Sequence, residues 1–497
     1  MKNQVQLITY VDRLGGRLDG RDLQRLRALL APGGALGGLF GGVHLLPFFH
    51  AIDGADAGFD PIDHTRVDPR LGDWTDIKAL TEVMDVMGDV IVNHMSSASP
   101  QFLDYSARGD ASPYAGLFLS LDAVFPQGAS EADLLAVYRP RPGLPLSTVT
   151  LQNGQKKVLW TTFTAAQIDI AVHHPQGRAY LDSILQTFAG NGVRMVRLDA
   201  VGYAIKKAGA SCFMMPQTFD FIAEFAGRAR ALGIEVLVEI HAHYRRQIEI
   251  AARVDWVYDF ALPPLILHAF FFGTAAPLRR WIALRPSNAL TVLDTHDGIG
   301  IIDIGAEAGD REGQPGLVPP AELDALVERI HLNSGGTSRQ ATGAAASNLD
   351  LYQVNCSYYD ALGRDDTRYL LARALQFFLP GVPQVYYVGL LAGHNDMALL
   401  ARSGVGRDIN RHRYDEAEIA ADLQRLVVQR LLALIRLRNS HPAFGGSFDC
   451  SGDDQDLTLR WRADGVHEAS LHVNFQTLEH QLRCSDGQGG WQQWPWD

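Results

Sequence analysis

The sequence predicts an α/β protein, a (β/α)8 TIM barrel with two inserted subdomains and a small C-terminal β-domain. Three observations lead there. Eight short apolar or β-branched runs, each bounded by Gly, Pro or Asn, recur through the first 390 residues. Amphipathic stretches separate them, and beyond His441-Pro442 the pattern changes to short alternating runs.

In order, the runs are Val5 to Tyr10, Val43 to Pro47, Asp89 to Asn93, Val193 to Asp199, Ile234 to His241, Trp256 to Phe260, Leu290 to Asp294 and Gln384 to Val388. They read as buried parallel strands. Between them, Arg21 to Leu30, Tyr180 to Ala189 and Phe219 to Leu232 have the apolar spacing of helices. The stretch Gly33 to Gly38 lacks the GxGxxG order and precedes a strand, so it reads as a flexible connector and not as a phosphate cradle. Two connections, residues 95–192 with 98 residues and 301–383 with 83, exceed a loop plus a helix and must carry structure of their own. The first holds Pro140, Pro142 and Pro145, the second the Ala/Gly-rich stretch Gly335 to Asn348, and both are expected to pass over the top of the barrel. The expected division is 1–94, 176–300 and 366–437 for the barrel, 95–175 and 301–365 for the inserts, and 438–497 for the β-domain. Leu457 to Trp461 and Ala469 to Asn474 are strands of that last unit.

Composition narrows the partners. A chain of 497 residues, 47% hydrophobic, buries one large core and smaller ones beside it. Its 44 Lys+Arg against 56 Asp+Glu leave a net charge of −12, which repels a nucleic-acid backbone and an anionic bilayer alike. No nucleic acid and no membrane are therefore expected as partners. Cys212, Cys356, Cys450 and Cys484 show no CxxC spacing, which suits reduced thiols and a cytoplasmic protein. Met1 to Val5 has no apolar core behind a basic start, and no run reaches the ~18 apolar residues of a membrane span.

In such barrels the reacting groups lie at the C-terminal ends of strands. The third predicted strand ends in Asn93-His94, the fourth in Arg197-Leu198-Asp199, the fifth in Glu239-Ile240-His241 and the seventh in Asp294-Thr295-His296-Asp297. One such Asp is explained equally well as a helix N-cap. Three carboxylates at neighbouring strand ends, with Arg197 on the same strand face as Asp199, point to a shared cavity. Converging acids suit glycoside chemistry, where positive charge develops on a sugar ring between a nucleophilic carboxylate and a general acid. The alternative is the HxH of His241 and His243 as a zinc pair, but that element follows the fifth strand and the first strand ends without a His. No metal and no cofactor are expected.

These residues resemble the α-amylase family of glycoside hydrolases, family 13. Its four short regions are matched by Asp89 to His94, Val193 to Ala200, Glu239, and Leu293 to Asp297. Within the family, Gln6 to Tyr10, Gly54 to His64, Tyr138 to Pro145, Ala344 to Asn355 and Gly406 to Arg411 are similar to its phosphorylase branch that acts on sucrose. The Gly-rich segment at 33–42 and the chain past about residue 440 match less well. The resemblance implies Asp199 as nucleophile, Glu239 as general acid/base and Asp297 as transition-state stabiliser, with Arg197, His94 and His296 orienting the nucleophile and the sugar hydroxyls. It further implies Asp56 and Arg407 on the far hydroxyls, unless they form a structural ion pair, with Phe59, Tyr203 and Gln167 beside the sugar. Arg141, Tyr352 and His241 would meet phosphate, Asp350 would hold fructose, and Leu349 and Gln353 belong to the same loop. The implied activity is retaining transfer of a glucosyl group from sucrose to inorganic phosphate, giving α-glucose 1-phosphate and fructose, with transfer to other sugar acceptors as a side activity. Sibling phosphorylases of sucrose 6′-phosphate, glucosylglycerol or glucosylglycerate would share the three carboxylates. The family includes homodimers, so a homodimer is expected.

Retention requires two displacements, with the carboxyls ~5 to 5.5 Å apart. A charged Asp199 should keep the proton on Glu239 until the ester forms. Phosphate must approach Asp297, Glu239 and Asp350, and one like-charge contact at 4 Å is worth ~4 kcal/mol at an effective dielectric near 20. Cations and donors must offset it.

Overall fold

A computed structural model of the chain describes residues 1–51, 56–140, 143–307, 314–342 and 353–496, with the backbone alone at Asp56. Eight strands close into a parallel barrel: β1 (Gln6–Thr9), β2 (Gly42–Leu45), β3 (Asp85–Ile91), β4 (Met195–Asp199), β5 (Glu235–Val238), β6 (Trp256–Asp259), β7 (Ala289–Thr291) and β8 (Val382–Tyr386). Each pairs with its sequence neighbours, and β1 closes on β8.

All eight predicted strands are present, with bounds shifted by up to four residues. β3 starts four residues earlier than its apolar run because backbone pairing with β2 begins at Asp85, whatever side chain stands there. β7 stops at Thr291, so Asp294 and Asp297 stand on the loop that follows it. The end of the eighth run is a helical turn, Tyr387–Leu390. The helices Asp22–Leu30, Pro175–Gly190 and Pro216–Ala231 occupy the predicted amphipathic stretches. Pro at the start of the last two removes a backbone N–H that would have no intrahelical partner there.

Alternation by two organises the barrel interior. Met87, Met195, Leu237 and Leu290 belong to one buried apolar cluster. Two residues on, Asp89, Arg197 and Glu239 take the same strand face one layer higher. The lumen is therefore packed below and polar above, where the pocket opens.

The Gly-rich segment 33–38 is a turn in which Gly34 and Gly37 lie close against backbone, while Gly33 and Gly38 stand in open space. A Cβ on Gly34 would lie 2.2 Å from the Ala28 carbonyl oxygen, and one on Gly37 2.4 Å from that of Ala31. Leu36 of this segment and Leu39 just after it are buried. Glycine serves here for close backbone approach.

Between β3 and β4 the chain forms a hairpin, Leu146–Thr150 with Lys156–Trp160, and a short pairing of His94–Ser96 with Gln167–Asp169. Between β7 and β8, Ile299–Gly300 pairs with Gln353–Val354. After the helix Leu426–Ser440 comes a five-stranded antiparallel sheet, which includes Asp456–Ala463 and His467–Asn474. It docks on the barrel through Trp461, whose indole N–H donates to the Phe378 carbonyl at 2.7 Å. Among the described residues no helix is long and apolar enough to cross a membrane.

Candidate active site

The site is built from the barrel outward. Asp89 and Arg197 are register partners on β3 and β4, so both side chains enter the lumen at one level. Arg197 Nη1 donates to Asp89 Oδ1 at 2.7 Å and to Asp199 Oδ1 at 3.1 Å, and Nη2 lies 3.8 Å from Glu239 Oε2. This guanidinium is almost wholly buried. Burial opposes its charge, yet Asp89, then Glu239 and Asp199, hold its pKa well above the ordinary arginine value. Asp89 also receives His44 Nε2 at 3.2 Å. Burial alone would raise the Asp89 pKa, but His44 and Arg197 bring it down to about 2. Directly after Asp199 the chain turns through Ala200 at φ 54°, a left-handed conformation that directs the next loop across the pocket.

Asp297 reaches the same space from the loop after β7. Arg407 Nη1 lies 2.8 Å from its Oδ1 and Arg411 Nη2 3.9 Å. Against the effect of burial, Arg407 and then Arg411 hold the Asp297 carboxyl well below the usual carboxylate range, so it stays charged. His296 is buried and its pKa is driven well below the ordinary histidine value, which leaves it neutral. Its ring stacks on Phe59 at 5.0 Å, and the Arg197 guanidinium lies 5.5 Å from the same phenyl ring. The Phe59 carbonyl accepts from His94 Nε2 at 2.8 Å and from Gln167 Nε2 at 3.2 Å. Tyr203 packs with Phe163 and Phe213, at 5.1 and 4.7 Å. Gln353 Oε1 lies 3.5 Å from Arg407 Nη2.

Asp199, Glu239, Asp297, Phe59, His94, Tyr203, His241, His296, Gln353 and Arg407 thus line one pocket, with Arg197 beneath it. Arg407 is engaged in the ion pair with Asp297. Arg141, Leu349, Asp350 and Tyr352 lie outside the described residues, as does the Asp56 side chain.

The HxH zinc pair does not form, because His243 Nε2 turns to the Pro315 carbonyl at 3.2 Å. Glu239, His241 and Asp297 do each offer an atom within 4.8 Å of the others. That cluster already carries partners: Arg407 on Asp297, and Asp303 Oδ2 on His241 Nδ1 at 2.9 Å.

Sequence reasoning missed several contributors. Tyr138, Phe163 and Phe213 form an aromatic wall of the pocket, yet they come from segments without strand-end signals. Lys206 carries no motif, but its side chain is 2% exposed and its ammonium lies 2.8 Å from Asp169 Oδ2 and 3.1 Å from Asn93 Oδ1. It also donates to the Tyr203 carbonyl. It thereby ties together segments carrying His94, Gln167 and Tyr203. Asp303 gave no sequence signal, since only folding brings it to the site, and Arg411 stood in the Gly406 to Arg411 motif without an assigned role.

Comparison with known proteins adds to this geometry. Residues 38–246 match the model of the α-amylase catalytic domain. The chain is 59% identical to the sucrose phosphorylase of Agrobacterium vitis over 486 residues, 98% of each chain. It is 53% identical to that of Bifidobacterium adolescentis, over 93% of this chain and 91% of the relative. The crystal structure of a sucrose 6F-phosphate phosphorylase from Thermoanaerobacter thermosaccharolyticum superposes with a TM-score of 0.89 at 37% identity, over 99% of this chain and 97% of that one.

Proposed function

The chain belongs to the α-amylase family, in the group of the sucrose phosphorylases, and from that membership we propose that it transfers the glucosyl group of sucrose to inorganic phosphate with retention. The products are α-glucose 1-phosphate and fructose. It is an enzyme of the glucosyltransferase kind, and identity of 59% and 53% to sucrose phosphorylases, against 37% to the sucrose 6F-phosphate enzyme, favours plain sucrose over the sibling substrates.

The observation that carries the mechanism is the convergence of Asp199, Glu239 and Asp297 on one pocket around Arg197. Asp199 attacks the anomeric carbon while Glu239 protonates the departing fructose oxygen, and a β-glucosyl ester forms on Asp199. A phosphate oxygen then attacks that carbon, its proton passes to Glu239, and the ester bond to Asp199 breaks. Asp297 keeps its charge beside the cationic ring of both transition states. Arg197 holds Asp199 in one rotamer through a charged hydrogen bond and touches Glu239 from the other side. Neutral His296, with His94 and Gln167 set by the Phe59 carbonyl, presents donors and acceptors to sugar hydroxyls. Phe59 and Tyr203 offer apolar faces. Asp56 with Arg407 on the far hydroxyls, Arg141 and Tyr352 on phosphate, and Leu349 and Asp350 on the fructose side complete the proposal from the family resemblance. So do the insert boundaries 95–175 and 301–365 and a homodimer. No metal or cofactor takes part in these steps. Four cysteines without a disulfide, three of them buried, support a reducing, cytoplasmic setting.

One incubation tests the activity. Sucrose with phosphate should yield glucose 1-phosphate, and sucrose in water much less free glucose; free glucose as the main product of both overturns the proposal.

A further inference from the structure

We propose that Asp303, which lines no part of the pocket, is a positioning residue that acts through His241 to make inorganic phosphate a better glucosyl acceptor than water. This rests on the activity proposed above. Asp303 sits fully buried on the short turn Ile302–Ile304, where both its oxygens accept hydrogen bonds. Oδ2 accepts from His241 Nδ1 at 2.9 Å, and Oδ1 accepts from Gln247 Nε2 at 2.8 Å and from the Ala242 amide at 3.3 Å.

The consequence lies on the other side of the imidazole. With Nδ1 held by Asp303 and the ring stacked on Phe260 at 3.9 Å, Nε2 faces the pocket. This nitrogen is buried and has no hydrogen-bond partner among the described residues; its nearest carboxylate oxygen, Glu239 Oε1, is 3.9 Å away. A buried donor aimed at a cavity without a partner has the chemistry of a ligand contact. The groups that face His241 are Asp303 from the turn, Glu239 from the end of β5 and Asp297 from the loop after β7, all acidic. Burial disfavours the imidazolium, but Asp303, then Glu239 and Asp297, raise its pKa above the ordinary value. In its imidazolium form His241 presents a charged N–H where a phosphate oxygen must pass Glu239 and Asp297. Water and neutral sugar hydroxyls gain much less from it than an anion does.

The backbone leaves room for this pair. A Cβ on Gly300 would fall 2.1 Å from Asp303 Oδ2 and 2.9 Å from His241 Nδ1. Gly300 is also the residue that pairs with Gln353, so the segment that contacts Arg407 is registered on the strand that accommodates the Asp303–His241 pair.

The test is Asp303→Asn in the full chain, with initial rates of glucose 1-phosphate and of free glucose measured across pH 5.5 to 8.5. The expected result is a rise of at least about tenfold in the phosphate KM, the scale of one charged hydrogen bond. The sucrose KM should move far less, and the product ratio should shift toward free glucose. The alkaline limb of phosphorolysis should move to lower pH, because the neutral amide no longer supports the imidazolium. Added to His241→Gln, the substitution should cause no further loss of phosphate preference. Gly300→Ala should give the same signature and carries the test if Asp303→Asn does not fold. An unchanged phosphate KM and product ratio, or sucrose and phosphate KM rising together, overturns the role. A parent enzyme that makes no glucose 1-phosphate overturns the activity itself, and this inference with it.

Discussion

Replacing Lys206 by Met removes an ammonium from a site that is 2% exposed and leaves Asp169, 1% exposed, without its counter-charge. Asp169 would still accept from the Thr162 amide at 3.0 Å, the Thr162 hydroxyl at 2.5 Å and Asn93 Nδ2 at 3.1 Å, so its charge is not wholly orphaned. Breaking a buried pair from one side costs ~3 to 5 kcal/mol. With an unfolding entropy of ~2.1 cal/mol/K per residue, a cooperative chain of this length loses ~1 kcal/mol per kelvin near its midpoint. The expected fall in Tm is therefore ~3 to 5 °C, read by calorimetry. The same clamp joins the segments of His94, Gln167 and Tyr203, so the sucrose KM should rise in the folded variant. Adding Asp169→Asn should recover part of the lost stability, because the uncompensated charge is then gone. A Tm within 1 °C of the parent, together with an unaltered sucrose KM, would refute the reasoning.

Other outcomes follow from the same geometry. Glu239→Gln should lower kcat on sucrose by ~10²- to 10⁴-fold, the usual range for a general acid, and normal turnover would remove Glu239 from that role. Asp199→Asn should abolish the glucosyl ester seen by mass spectrometry of acid-quenched enzyme, whereas Glu239→Gln retains the nucleophile and so, given a donor with a good leaving group, should accumulate that ester. Asp89 has its folded pKa depressed to about 2 from 3.8, so its contribution is fully present above pH 4 and is lost as pH falls from about 4 to 2. Acid unfolding should therefore begin in that window, and Asp89→Asn should flatten the pH dependence by roughly 2 kcal/mol. Gly34→Ala should lower Tm by ~1 to 3 °C through backbone collision with Ala28, a typical overpacking cost; an unchanged Tm would show that the turn gives way freely.

Legibility from sequence varied with the range of the cause. Barrel strands were readable because burial on both faces makes each an uninterrupted apolar run, and their bounds failed where backbone pairing began before that run, as at Asp85, or stopped short of its end, as at Thr291. Arg197 and Asp199 were readable as a unit because alternation by two is local. Lys206 was not, because its burial depends on Asp169 and Asn93, 37 and 113 positions away. The Gly-rich turn looked loose because composition records absent side chains but not the carbonyls packed against them.

The sequence by itself determined the repeat of strand and helix, the order of the strands, the C-terminal change of pattern and the carboxylates at strand ends, since these follow from local periodicity and spacing. Only the tertiary structure decided which cations meet which acids. Arg407 came to Asp297, Lys206 to Asp169, and Asp303 to His241, because barrel closure and the pairing of Gly300 with Gln353 bring distant loops over one lumen. The net charge of −12 belongs to the whole chain, whereas the sign of the potential at a reacting atom is set by whichever few groups lie within several ångströms of it.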